Sequence, residues 1–167
     1  MTDIDGVWTD GGMYYDREGN EQKKFNTSDS AGILFLRALD IPVAIITGEK
    51  TPMVTARAAK LNIEHVRQGI SDKVGEANDL CRILDVSLDQ VAYIGDDLND
   101  MKLLREVGIS GCPANGPDYV KGIVDIVTKK SGGDGAFREF VESILIAAGR
   151  FDEVLEQVVG VDRSDWQ

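Results

Sequence analysis

Aspartates crowd two places in this chain, Thr2-Asp3-Ile4-Asp5-Gly6 and Gly95-Asp96-Asp97-Leu98-Asn99-Asp100. Carboxylates packed this densely repel one another unless they share a cation, so the fold has to gather them around a common charge partner. Between the clusters the apolar run Val43-Ala44-Ile45-Ile46 ends in Thr47-Gly48, and a lone Lys73 follows in Ser71-Asp72-Lys73. Asp3, Thr47 and Asp96 each follow a strand-like segment, which puts them on one edge of a parallel sheet if the strands run the same way.

The rest of the chain supports that arrangement. Ile33, Leu36 and Leu39 fall at helical spacing within residues 28–39, and Thr51-Pro52 is a cap followed by a first-position proline, opening a helix with Val54, Ala58 and Leu61 on one face. A short strand is predicted over 64–67, a helix over 72–84 and a capping box at Ser87-Leu88-Asp89-Gln90 before the strand 91–94. Further on, the pattern predicts a helix over 99–107, a strand over 109–112, a helical turn over 117–122, a weak strand over 124–127 and a helical tail over 136–160. Alternating β and α units predict an α/β fold, a doubly wound, mainly parallel sheet. The segment Val7 to Phe25, with a turn-like Asp16-Arg17-Glu18-Gly19-Asn20, reads as a β-hairpin flap beside the site. Only Met1 and Thr2 precede Asp3, so either the start is truncated or misassigned or the sheet forms without a full first strand; a missing central strand would leave the aspartates poorly held.

With 167 residues and 43% hydrophobic content, the chain fits a single domain spanning 1–167. There are 18 basic against 29 acidic residues, a net charge of −11, and no basic run interleaved with aromatics, which argues against nucleic acid as a partner. No apolar stretch approaches the roughly 20 residues of a membrane span, and no secretory leader opens the sequence, so a cytoplasmic location is expected. Cys81 and Cys112 form no disulfide or zinc pattern and read as small apolar fillers. His65, the only histidine, has no second histidine to join and is given no catalytic role. Gly132, Gly133 and Gly135 lack a dinucleotide-loop context and read as a turn before a helix.

The order of motifs, Asp3-x-Asp5, two apolar residues before Thr47-Gly48, Lys73, then Gly95-Asp96-Asp97-Leu98-Asn99-Asp100, resembles the haloacid dehalogenase superfamily, and Gly132-Gly133-Asp134-Gly135 followed by Ala136-Phe137-Arg138-Glu139 is similar to its capless sugar-acid phosphatase branch. That resemblance implies a Rossmann-like fold with no large cap domain. It also implies Mg²⁺-dependent hydrolysis of a sugar-acid phosphate through an aspartyl-phosphate. Asp3 would be the nucleophile and Asp5 the acid and base; the side chains of Asp3 and Asp96 and the backbone carbonyl of Asp5 would hold the metal. Asp97, Asn99 and Asp100 would orient waters or neighbouring donors, while Thr47, Gly48 and Lys73 would meet the phosphoryl group. Glu49, where octulosonate phosphatases have arginine, resembles the 2-keto-3-deoxynononate 9-phosphate enzymes. This makes that substrate the first expectation, with 3-deoxy-octulosonate 8-phosphate and N-acetylneuraminate 9-phosphate as alternatives. Arg57 and Lys60, three apart on one helix, are expected to meet the substrate carboxylate, and Glu49 to bind sugar hydroxyls or hold Lys60. The same resemblance implies a homotetramer with sites closed by neighbouring subunits.

Bland readings stand beside these. An isolated pair of aspartates can cap a turn, an acid at a helix start favours the macrodipole, and Arg57 with Lys60 can be a solvated face. A phosphoaspartate receiver domain would place its second acidic pair before the lysine, opposite to the order here. A non-catalytic assembly module of the same fold is the remaining alternative of another class.

Overall fold

A computed structural model describes residues 1–160. In chain order the elements are β1 (Tyr14–Tyr15), β2 (Glu21–Gln22), α1 (Asp29–Ala38), β3 (Ala44–Thr47), α2 (Pro52–Lys60), β4 (His65–Gln68) and α3 (Lys73–Leu84). After a 3₁₀ turn at Leu88–Gln90 come β5 (Ala92–Ile94), α4 (Met101–Leu104), β6 (Ile109–Cys112), α5 (Asp118–Lys121), β7 (Ile126–Val127), α6 (Ala136–Ala147) and α7 (Phe151–Val159). Among these residues no helix is long and apolar enough to cross a membrane.

Strands β3 and β4 pair in parallel, Ile45 opposite Val66, and β5, β6 and β7 form a second parallel set. The two sets are joined by Thr2, which bridges Ile45 on one side and Ile94 on the other. Its N–H donates to the Ala44 carbonyl at 2.9 Å, its carbonyl accepts from Ile46 at 2.9 Å, and the Asp3 N–H donates to Ile94 at 3.0 Å. The poor hold expected of a missing central strand is therefore corrected: Thr2 and Asp3 are bonded to the strands on both sides. The following turn is pinned too, since the buried Trp8 indole donates to Thr2 Oγ1 at 3.0 Å and its ring lies 4.7 Å from that of Phe137.

Side chains alternate across the sheet as the pleat requires. Ile45 and Ile94 pack with Ile33, Phe35, Val54, Phe137 and Phe140 from α1, α2 and α6, and Val154 of α7 joins them. Ala44, Ile46 and Tyr93 pack on the other face with Ala77 and Leu80 of α3, Leu103 of α4 and Val120 of α5. Helices thus cover both faces, the doubly wound arrangement expected. Local signals explain where they start: Thr51 Oγ1 accepts from Met53 N–H at 3.3 Å, and Asp72 Oδ1 from Gly75 N–H at 3.1 Å. Both cysteines are free and buried.

The boundaries that bear on the site differ from expectation in two places. The flap is shorter than Val7 to Phe25: its strands cover only residues 14–22, because Val7 and Trp8 turn inward and are fully buried. The helix expected over 99–107 shrinks to α4, because residues 97–100 form turns that fold the Asp100 carboxylate back onto its own loop. The glycine turn before α6 lies directly against residues 6–10. A Cβ on Gly132 would sit 1.7 Å from the Gly6 carbonyl oxygen, and Gly133 N–H donates to the Val7 carbonyl at 3.1 Å.

Candidate active site

The site lies at the carboxyl ends of the central strands, where the direction of sheet winding reverses. Asp3 follows the bridging Thr2, Thr47 ends β3, Asp96 lies just past β5, and Lys73 opens α3. Thr47 and Lys73 are buried, and Asp3 is 4% exposed. Lys73 Nζ lies 3.1 Å from Asp3 Oδ2, donates to Asp100 Oδ1 at 2.6 Å and reaches the Tyr93 hydroxyl at 3.3 Å. Tyr93 donates to the same Asp100 oxygen, while Asp100 Oδ2 accepts the N–H groups of Asp96 at 3.0 Å and Asp97 at 3.1 Å. Both oxygens of Asp100 are thus committed, so it organises Lys73 and the Asp96 loop. Tyr93 in this network was not among the expected site residues, because its place in an apolar strand reads as core.

Asp3, Asp96 and Asp100 each present an oxygen within 4.8 Å of the others. Asp3 Oδ1, Asp5 Oδ2 and Asp96 Oδ1 are buried with no hydrogen-bond partner. Orphaned carboxylate oxygens are costly unless something positive meets them, and an all-oxygen donor set of this kind suits a hard divalent cation. The close approach of Asp96 depends on Gly6, whose φ is +85° and where a Cβ would lie 1.9 Å from Asp96 Oδ2.

The electrostatics express the same crowding. Burial, then the nearby Asp100, pushes the Asp3 carboxyl up to about 7 against the pull of Lys73. Burial, then Asp3 and Asp100, pushes Asp96 to about 8. For Lys73 burial acts to lower the pKa, but Asp3 and Asp100 outweigh it and the net shift is upward. An acid with a raised folded-state pKa keeps a proton that the unfolded chain has released, so its stabilising effect is present at low pH and lost as pH rises through the folded value. In chelator, the thermal midpoint should therefore be higher near about pH 5.5 than near about pH 8, and added Mg²⁺ should narrow the gap. Calorimetry at the two pH values decides this; a midpoint in chelator that rises with pH would contradict the crowding.

On the far side of the site, Asp5 Oδ1 accepts from Lys23 Nζ at 2.6 Å and from Thr9 Oγ1 at 3.3 Å. Lys23 also donates to Glu49 Oε2 at 2.7 Å, so Glu49 is held by Lys23 and not by Lys60 as expected. Lys60 is exposed at the last turn of α2 and makes no ion pair among the described residues. Arg57 donates to the Asn26 carbonyl at 3.2 Å and Ser30 Oγ at 2.9 Å, and lies over the Phe25 ring. The pair expected to clasp a carboxylate together is therefore divided: Arg57 is tied to the segment before α1, while Lys60 is left in solvent. Gly48 faces the acidic loop, with Asn99 Nδ2 3.4 Å from where its Cβ would be. Asp97 and Asn99 are exposed, and Asp97 Oδ1 accepts the N–H of Leu98 at 2.7 Å.

Comparison with known proteins agrees with this geometry. Residues 50–140 match the haloacid dehalogenase-like hydrolase family. The 3-deoxy-D-manno-octulosonate 8-phosphate phosphatase KdsC of Escherichia coli is 41% identical over 95% of this chain and 85% of its own length. The crystal structure of the Moraxella catarrhalis octulosonate 8-phosphate phosphatase, in complex with magnesium ion, phosphate ion and KDO, is 38% identical, covers 99% of this chain and 91% of its own, and superposes with a TM-score of 0.89. A cobalt-bound Haemophilus influenzae phosphatase is 40% identical over 90% of this chain and 88% of its own, with a TM-score of 0.86. With the motif order, the strand-end site and these relatives in agreement, the chain belongs to the haloacid dehalogenase-like hydrolases, among their phosphatases.

Proposed function

We propose that this chain is a Mg²⁺-dependent phosphomonoesterase acting on a sugar-acid phosphate, with 3-deoxy-D-manno-octulosonate 8-phosphate as its substrate. The observation that carries the chemistry is the pair of buried, unpartnered oxygens on Asp3 and Asp96 beside Lys73, with that of Asp5 on the opposite side. The choice of sugar rests on the relatives, which are named for the octulosonate, and on the KDO bound by the Moraxella protein. This displaces the nononate 9-phosphate as first expectation. Nononate remains the second reading because Glu49 stands directly after Thr47-Gly48, where arginine is expected for octulosonate.

Mg²⁺ would be held by Asp3, Asp96 and the Asp5 carbonyl, and when bound it neutralises charge on the phosphoryl oxygens. In the first step an Asp3 oxygen attacks phosphorus, the bond from phosphorus to the sugar oxygen breaks, and Asp5 gives its proton to the departing oxygen. In the second, water attacks the aspartyl-phosphate, Asp5 takes the water proton, and inorganic phosphate leaves with Asp3 restored as carboxylate. Thr47 and Lys73 hold the transferring group, and Asp100 holds Lys73. A homotetramer fits this reading: Met13 and Tyr15 of the flap are 52% and 61% exposed, an apolar surface suited to a neighbouring subunit.

Turnover of the octulosonate, nononate and neuraminate phosphates side by side with Mg²⁺ tests the assignment. The octulosonate phosphate should show the highest kcat/KM. A nononate preference would select the second reading. No turnover of any of the three, with an aryl phosphate still cleaved, would remove the sugar-acid reading.

A further inference from the structure

Lys23 was not among the candidate site residues, yet its side chain is only 1% exposed and its ammonium lies against Asp5 at 2.6 Å, Glu49 at 2.7 Å and Glu21 at 3.4 Å. It follows directly on β2, in a flap whose Tyr14, Tyr15 and Gln22 are exposed. This one ammonium therefore spans the flap, the loop after the nucleophile and the Thr47-Gly48 loop. Its bond to Asp5 is one-sided. Lys23 and the Thr9 hydroxyl both donate to Oδ1, while Oδ2 is buried and unpartnered. Thr9 Oγ1 in turn accepts the N–H groups of Gly6 at 3.3 Å and Gly11 at 3.2 Å, which leaves its own proton for Asp5. A carboxylate gripped at one oxygen by two donors cannot rotate freely, so the other oxygen stays where it is aimed.

We infer that Lys23 is the positioning residue for Asp5: by holding Oδ1 it reserves Oδ2 for proton transfer to the departing oxygen, and through Glu49 it ties that alignment to closure of the flap. The inference rests on the reading of Asp5 as the acid. A cation that only braces the fold, or only binds the sugar, would leave proton delivery untouched.

The dependence of rate on leaving group separates these roles. Phosphates that expel a stable aryl oxide need little help from an acid, whereas those expelling a basic oxygen need it fully. The measurement is kcat/KM for a series of aryl phosphates from para-nitrophenyl to phenyl phosphate, with Mg²⁺, because kcat/KM covers the steps up to the aspartyl-phosphate. Lys23→Met should lose roughly 100-fold on phenyl phosphate but less than about tenfold on para-nitrophenyl phosphate, steepening the dependence. Circular dichroism checks its folding, and Lys23→Gln carries the same comparison if the Met variant does not fold. An equal loss across the series, or none, would overturn the inference, as would a loss found only on a sugar-acid phosphate measured beside the series. Asp3→Asn in parallel keeps the two readings apart: activity there sinks the aspartyl-phosphate mechanism, whereas an inactive Asp3→Asn with an unchanged slope in Lys23→Met sinks the positioning role alone.

Discussion

Lys73→Met should lower the stability of the fold by about 3–5 kcal/mol, the usual result of removing one member of a buried ion pair. For a chain of this size that corresponds to a thermal midpoint about 6–20 °C lower. The size follows from where the charge is lost. Lys73 is the cation shared by Asp3 and Asp100, at 3.1 and 2.6 Å, and the side chains of all three are almost entirely out of solvent. Methionine fills a similar volume, so the change isolates the charge. Asp100 would still receive Tyr93 and two backbone N–H groups, but Asp3 would have only the backbone of Ile4 to set against its neighbouring carboxylates. The deficit should shrink as pH falls and Asp3, raised further once Lys73 no longer holds it down, takes up its proton, and added Mg²⁺ should recover part of it. Chemical denaturation at two pH values measures this. An unchanged midpoint near about pH 8 would mean that the three carboxylates are far less mutually repulsive than their spacing implies.

Asp3→Asn should reduce phosphatase activity by at least about 10³-fold, because an amide is a poor nucleophile and a weaker metal ligand. The same change removes one charge from a crowded buried cluster, so in chelator the variant should be at least as stable as the parent. Loss of function without loss of fold is the signature of strain kept for chemistry. Rapid acid quench with labelled substrate should trap an aspartyl-phosphate in the parent and none in the variant. Activity near the parent's in a folded Asp3→Asn would remove the covalent mechanism.

What the sequence makes legible is what short-range physics determines. Strand β3 can be read from an apolar run ending in Thr47, α2 from Thr51-Pro52, and the 3₁₀ turn from the spacing of Ser87 and Gln90, whose side chain accepts the Ser87 N–H at 3.0 Å. The carboxylates and Lys73 are legible as a site because their density makes no sense apart from one another. Pairing across long separations is not written locally. That two residues could seal a sheet depends on Ile45 and Ile94 flanking Thr2, and that Lys23 reaches Asp5 depends on how the flap folds back. A lysine in a short polar strand gives no sign of either. Tyr93 was hidden for the opposite reason, since an aromatic in an apolar strand suits the core equally well.

The meeting of Gly132 with Gly6 joins two backbones with no side chain between them. Side chains cushion most contacts in a protein, since a rotamer can change while the chain stays still. Here there is nothing to give. The turn that launches α6 and the loop that follows Asp3 therefore move together, and any displacement of α6 is delivered undamped to residues 6–10. A helix more than 130 residues along the chain from Asp3 is in this respect a handle on it: surface changes on α6, remote from Asp3 in sequence, act on the geometry of residues 6–10 through a joint that evolution can neither soften with a larger residue nor lubricate with a smaller one.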